Sequence, residues 1–292
     1  MTALLYAETI LDNCQPLAPL ATEVEPKLEK LEGIRAVLFD IYGTLLISAS
    51  GDIGSHTGDH RLVAVRETCQ LFQLELSDAA EVAVKSFESK ISRAHLAAKE
   101  QGVEYPEVDI VEIWQAALPD LVEGSWDDFD WQRFALEYEV RVNPVWPMPN
   151  VESTLSRLAA SELVMGIVSN AQFFTPLLFP AFFGKTIEQL GFAPELAYFS
   201  YEHRQAKPGG YLYSLAQQQL ALQGIEPVEV LYVGNDMLND VAAAASVGFR
   251  TALFAGDQRS LRWRADEEKV EGVVADVIIT ELPQLIECVA FE

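Results

Sequence analysis

The residues of this chain best suited to chemistry are oxygen-bearing side chains that directly follow short apolar segments. Asp40 directly follows the predicted strand 35–39, whose residues 36–39 are apolar; Gly43 then permits a sharp turn, and Thr44 adds a hydroxyl. A carboxylate at the carboxyl end of a buried parallel strand lies where open α/β sheets bind their ligands. An ionised carboxylate in that place can attack an electrophile and form a covalent intermediate.

Polar side chains follow three further apolar segments in the same way. Ser169 and Asn170 end the run that starts at residue 163, and Lys207 lies in the loop after 196–200. The run 229–233 leads into a loop that carries acids and amides, namely Asn235, Asp236, Asn239 and Asp240. A lysine near a carboxylate lowers the pKa of the acid and offsets the charge of an incoming anion.

These four segments, in this order, resemble the four motifs of the haloacid dehalogenase superfamily, and the resemblance covers roughly residues 34–255. It implies that Asp40 is the nucleophile and that Lys207 balances its charge. It also implies that Ser169 and Asn170 hold the transferred group, with Thr44 beside the nucleophile in the first motif.

The resemblance further implies Mg²⁺, bound by Asp40, the backbone carbonyl of Tyr42 and the loop after 229–233. Mg²⁺ suits such an all-oxygen site with few carboxylates. The last motif fits in two registers: one pairs Asn235 with Asp240, and the other pairs Asp236 with Asp240. We expect Asp236 to bind the metal directly and Asp240 to lie behind it.

Tyr42 is the main departure from the family's phosphatases, which carry a second Asp at this position. That Asp protonates the leaving group, and such acid–base help is worth roughly 10²- to 10⁴-fold. The leading hypothesis is a Mg²⁺-dependent phosphohydrolase of a small phosphorylated metabolite. The alternative is a 2-haloacid dehalogenase, whose first motif resembles Asp-x-Tyr-Gly-Thr and which needs no metal. A non-catalytic, ligand-binding member is the third hypothesis.

Each of these residues also has a purely structural explanation. Asp40 can accept backbone N–H bonds in the turn after its strand, and Ser169 with Asn170 can cap a helix. Lys207 can be a surface lysine, and the last motif's acids can favour the positive end of the next helix. Arg61 can meet an anionic substrate, although a salt bridge on a helix face is the expected role.

The elements that must position these residues alternate between strand and helix from residue 150 onward. This alternation, with strands at 163–168, 196–200, 229–233, 249–254 and 276–279, predicts an α/β fold with a Rossmann-like, doubly wound parallel sheet. We expect the core domain to comprise 34–48 and 144–292.

Between the first and second motifs the pattern is helical from 60 to 142, which predicts an inserted all-helical cap domain over 49–143. Ser77 is expected to cap one of its helices. The stretch 46–58 contains Gly51, Gly54 and His56, and its composition predicts a mobile loop. Residues 1–33 form an extension, with a short charged helix expected at 27–32.

Composition restricts the possible partners. Of 292 residues, 44 are Asp or Glu and 20 are Lys or Arg, so the net charge is −24. Such a charge repels nucleic-acid backbones and anionic lipids, so we expect neither partner. A small anionic substrate then requires local cations. Three scattered cysteines and the lack of a secretory signal at the start favour a cytoplasmic monomer or homodimer.

Overall fold

The computed structural model describes residues 2–50, 58–75, 80–119, 122 and 126–289, and its core is a six-stranded sheet. The strands, in chain order, are β1 Ala36–Phe39, β2 Leu46–Ser48, β3 Val145–Pro147, β4 Val164–Ser169, β5 Phe192–Phe199, β6 Val230–Gly234, β7 Arg250–Phe254 and β8 Val277–Ile279. The order across the core sheet is β5-β4-β1-β6-β7-β8, and every pair is parallel. The predicted α/β, Rossmann-like fold is confirmed.

Helices cover both faces of this sheet. The helices, in chain order, are α1 Thr2–Asn13, α2 Gly58–Leu71, α3 Ala80–Glu100, α4 Ile110–Ala117, α5 Trp131–Val142, α6 Val151–Ala159, α7 Thr175–Phe183, α8 Ser200–His203, α9 Tyr211–Ala221, α10 Ala243–Ser246 and α11 Leu285–Cys288. A π-helix, Met237–Ala242, leads into α10. All four residues of β1 are buried, as expected of a central parallel strand with helices on both sides.

The segment between β2 and β3 is helical and has a hydrophobic core of its own. Trp114 is fully buried there and stacks on Phe87 with ring centroids 4.3 Å apart. The antiparallel pair β2 and β3 joins this cap to the core. We expected a mobile loop from residue 46, but 46–48 is a buried strand, because its backbone pairs with 145–147.

The N-terminal extension differs from the prediction. Residues 27–32 form no helix: Lys27 pairs its backbone with Ile278, and the N–H of Leu31 donates to Cys288. This pairing with the core outweighs the local helical pattern. The helix of the extension is α1 instead, which packs against both α7 of the core and α5 of the cap. Thr9 of α1 donates a buried hydrogen bond of 3.1 Å to Glu137 of α5.

The described residues do not include Ser77, Gly51, Gly54 and His56. The helix cap expected at Ser77 and the mobile loop expected around the other three residues therefore stay predictions. The three cysteines, Cys14, Cys69 and Cys288, are buried free thiols. Across the described part of the chain, no helix has the length and apolar character needed to cross a membrane.

Candidate active site

Asp40 is held at the centre of the sheet's carboxyl edge. It directly follows β1, and its N–H donates to Val233 of β6 over 2.9 Å. Its Oδ1 atom accepts hydrogen bonds from Ser169 Oγ and Lys207 Nζ, both at 2.8 Å. Its Oδ2 atom accepts no hydrogen bond from the residues that the structure describes. One carboxylate oxygen is therefore anchored and the other is left for a substrate.

Lys207 connects this carboxylate to a second one. Its ammonium group also donates to Asp240 Oδ1 over 2.6 Å and to the Tyr232 hydroxyl over 3.1 Å. Burial lowers the pKa of Lys207, but Asp240 and Asp40 outweigh burial and raise it above the ordinary value. The lysine is therefore a permanent cation, and we call Asp40, Lys207 and Asp240 the buried ion cluster.

Burial also raises the pKa of Asp240, while Lys207 opposes the shift and Asp40 adds to it. The second oxygen of Asp240 accepts the N–H of Asp236 over 2.9 Å, which fixes the turn after β6. The geometry makes Asp240 a counter-ion that positions Lys207, because every contact of its carboxylate stays within the protein.

Asn170 does not point at the reacting carboxylate. Its Oδ1 accepts the N–H of Lys207 over 2.7 Å, and its Nδ2 donates to the carbonyl of the same residue over 3.2 Å. The resemblance implied that Ser169 and Asn170 together hold the transferred group. Only Ser169 contacts Asp40, whereas the Asn170 amide fixes the loop that carries Lys207.

The turn after Asp40 lies tightly against the loop after β6. Thr44 donates to Asn235 Oδ1 over 3.2 Å, and Asn235 donates to the carbonyl of Ser260. Gly43 has φ +81°, and a Cβ there would lie 2.5 Å from Ser260 Cβ and 2.8 Å from Asn235 Nδ2. Thus Asn235, not Asp236, meets the loop of the first motif.

Asp236 is engaged elsewhere. Its Oδ1 accepts the N–H groups of Leu238 and Asn239, and its Oδ2 accepts two bonds from Arg264, at 3.0 and 2.7 Å. Among the described residues, no cluster of three or more His, Cys, Asp or Glu side chains is placed to hold a metal ion. The available oxygen donors are Asp40 Oδ2, the Tyr42 carbonyl and the Asn235 amide.

Tyr42 replaces an acid with a neutral phenol. Its hydroxyl lies 2.9 Å from Thr175 Oγ1 at the start of α7. Burial raises its pKa far above the ordinary value, the bond to Thr175 opposes this, and the charges of Glu139 and Asp40 add to it. At neutral pH this side chain neither carries a charge nor releases a proton readily.

A cavity of about 260 Å³ lies between the core and the cap. It begins at Tyr42 and Ala171, which follow Asp40 and Asn170 in the chain, and it reaches the cap helices α2, α3 and α5. Its walls are mainly aromatic and aliphatic. Arg61 lines it and pairs with Glu88 over 2.6 Å, the expected salt bridge.

Known proteins assign this chain to a family. The sequence profile of the haloacid dehalogenase-like hydrolases matches residues 34–248. The chain belongs to this family. A search of curated proteins found no significant match.

Two solved structures share the fold of this haloacid dehalogenase-like hydrolase. A 2-haloacid dehalogenase from Pseudomonas syringae pv. Tomato DC3000 is 21% identical with a TM-score of 0.56, covering 87% of this chain and 97% of its own. An HAD phosphatase from Thermococcus onnurineus is 18% identical with a TM-score of 0.53, covering 89% and 99%. At 21% and 18% identity, these two matches establish only the fold of this chain. One of the two proteins is a dehalogenase and the other a phosphatase, so the matches do not separate the two reactions.

Three residues of this region were not predicted from the sequence. Tyr232 reaches the buried ion cluster from inside β6, where it looked like an ordinary strand residue. Arg264 lies beyond the last motif, in a segment without periodicity. Glu139 faces the cavity from α5, and nothing in the helical pattern separates it from surface glutamates.

Proposed function

We propose that this hydrolase cleaves small phosphomonoesters through an aspartyl-phosphate intermediate on Asp40. The observation that carries the proposal is the asymmetry of the Asp40 carboxylate. Lys207 and Ser169 hold Oδ1, and Oδ2 has no hydrogen-bonding partner among the described residues. A carboxylate held in this way beside a cation is oriented for attack, as a nucleophile must be.

In the proposed reaction, Asp40 Oδ2 attacks phosphorus and the bond from phosphorus to the ester oxygen breaks. Water then hydrolyses the acyl phosphate and regenerates the carboxylate. Lys207 offsets negative charge beside the nucleophile, and preorganised charge of this kind stabilises a transition state in a site that excludes water. Because Tyr42 is a poor acid, the proton of the leaving alcohol must come from substrate, solvent or another group.

The donor set fits Mg²⁺ held largely by water and substrate. Mg²⁺ uses one or two carboxylates together with waters and phosphate oxygens. In this chain the Tyr42 carbonyl and Asn235 Oδ1 would hold it beside the Asp40 carboxylate, and Asp236 would join only by leaving Arg264. The ion would neutralise the phosphate oxygens. Lys207 alone faces two carboxylates and a phosphate dianion, so we expect the proposed phosphatase to need this added charge.

The experiment is a panel of phosphomonoesters and 2-haloacids, each assayed with Mg²⁺ and with chelator. The proposal expects phosphate release that vanishes with chelator and returns with Mg²⁺. Asn235→Ala should raise the Mg²⁺ concentration needed for half-maximal rate. Leu238→Ala, outside the donor set, is the matched control. Phosphate release that is fully resistant to chelator would reject the metal-assisted route.

A second candidate, 2-haloacid dehalogenase, is favoured by Tyr42, because a departing halide needs no proton. Against it, Arg61, which lines the cavity, pairs with Glu88 and is not free for a substrate carboxylate. Tyr42→Asp separates the two candidates. It should speed phosphatase turnover of poor leaving groups by up to roughly 10²-fold, whereas in a dehalogenase it adds a negative charge near the nucleophile and should slow the reaction. Chelator-resistant halide release, abolished by Tyr42→Asp, would establish the dehalogenase.

A further inference from the structure

The cavity between core and cap contains one carboxylate without a partner. Glu88 pairs with Arg61 over 2.6 Å, and Glu107 accepts bonds from Ser200 and from the N–H of Val108. The carboxylate of Glu139, on α5, accepts no hydrogen bond and makes no salt bridge among the described residues, and the residue is only partly exposed. An unpaired carboxylate at a cavity wall is a binding group for a hydrogen-bond donor.

The other walls favour a cation as that donor. The described lining residues include three carboxylates, Glu88, Glu107 and Glu139, against a single guanidinium, Arg61. Burial lowers the pKa of His95, with Lys99 adding to the shift, so this histidine is neutral. Its buried Nε2 atom also has no hydrogen-bonding partner in the described part of the chain.

The apolar part of the lining supplies aromatic faces. The rings of Phe87, Tyr138 and Phe174 line the cavity together with Tyr42. An organic ammonium ion over such rings is attracted to their negative faces by cation–π interaction. At about 260 Å³, the cavity lies just below the roughly 300–1,000 Å³ range of pockets for drug-sized ligands. Its occupant is therefore small.

We infer that this cavity takes the leaving group of a phosphomonoester that carries an ammonium group on a small apolar body, with Glu139 as the counter-ion. This inference rests on the proposed phosphatase function, because it places phosphorus at Asp40 and the organic part toward the cap. Burial raises the pKa of Glu139 to about 7, and Arg61 opposes the shift. A bound ammonium would favour the ionised form further.

The test uses three esters of one shape: 4-(aminomethyl)phenyl, 4-methylphenyl and 4-carboxyphenyl phosphate. We expect KM to be lowest for the aminomethyl ester and highest for the carboxy ester. A charge-assisted hydrogen bond is worth roughly 1.5–3 kcal/mol, or about 10- to 100-fold in affinity. Glu139→Gln should raise KM for the aminomethyl ester by that factor and change KM for the methyl ester far less, so that the preference between the two esters is lost.

The matched control is Glu67→Gln, which removes the same charge from α2. Glu67 does not line the cavity, and its exposed side chain pairs with Arg141. The control should keep the preference for the aminomethyl ester. Equal KM values for all three esters, or a preference that survives Glu139→Gln, would overturn the inference while leaving the phosphatase proposal intact.

A binding measurement separates failure of the inference from failure of the proposed function. Calorimetry with 4-(aminomethyl)phenol and 4-methylphenol on the full-length Asp40→Asn protein needs no turnover. Glu139-dependent binding of the amine, without hydrolysis of any ester by the wild type, would refute the phosphatase and support the cationic cavity. If the wild type hydrolyses the esters with equal KM values, and the two phenols bind with equal affinity, the cationic cavity is refuted and the phosphatase proposal stands.

Discussion

The buried ion cluster predicts that loss of the Lys207 charge destabilises the fold strongly. Its side chain is 3% exposed and touches Asp40 at 2.8 Å and Asp240 at 2.6 Å, which are themselves 9% and 1% exposed. Lys207→Met keeps the length of the side chain but leaves two buried carboxylates without a cation. Removing one partner from a buried ion pair costs about 3–5 kcal/mol, because the remaining charge cannot regain water.

The assay is unfolding in urea, monitored by circular dichroism. With a slope of about 3 kcal/mol per M for a chain of this size, the midpoint should fall by about 1–1.7 M. The double variant Lys207→Met/Asp240→Asn removes the more deeply buried of the stranded charges and should recover part of the loss. Lys85→Met is the control: this lysine is 76% exposed, 3.7 Å from Glu81, and should change stability by less than about 0.5 kcal/mol. A Lys207→Met midpoint equal to the wild type, or a double variant less stable than the single, would refute the reasoning.

Three further predictions concern the nucleophile, its turn and the cavity acid. Asp40→Asn should abolish turnover on any substrate of the wild type while the unfolding midpoint stays level or rises, measured by product release and urea unfolding. Gly43→Ala should destabilise the fold by about 1–3 kcal/mol, since φ is +81° and the new Cβ meets Ser260; an unchanged midpoint would contradict this. Because burial raises the pKa of Glu139 to about 7 from 4.5, the folded state favours its neutral form. The free energy of unfolding should therefore fall by up to about 3 kcal/mol as pH rises from about 4.5 to 7. Glu139→Gln has no carboxylate to titrate at this position, so its unfolding free energy, measured in urea at each pH, should not show this fall.

Strands of this fold are predictable from the sequence where burial is continuous. Residues 36–39 and 230–233 are aliphatic or aromatic, and short runs of this kind are typical of central parallel strands that helices cover on both faces. The convergence of Asp40, Ser169 and Lys207 follows from that topology, because parallel strands end at one edge. Even Asp240 could be placed near them from its position after β6.

Long-range contacts decide the features that no local pattern of the sequence shows. Residues 27–32 have a helical composition, yet their backbone pairs with the core. The sequence does not distinguish the roles of Asp236 and Asp240, which both follow β6. In the fold, Asp236 pairs with Arg264, whereas Asp240 contacts Lys207 in the buried ion cluster. Asn170 has the residue type that binds a transferred group, but its amide is used by the Lys207 loop. No local pattern contains this information.

Helix α1 adds to the contacts between the core and the helical segment that lies between β2 and β3, because it packs against α7 and α5 at once. A cap that swings open must either carry α1 away from α7 or break the buried bond between Thr9 and Glu137. Either event adds to the free energy of the open state and lowers its population. When only a fraction of molecules is open to a ligand, its apparent affinity falls in proportion to that fraction. The N-terminal helix can thereby set how strongly this enzyme captures a substrate without touching the substrate.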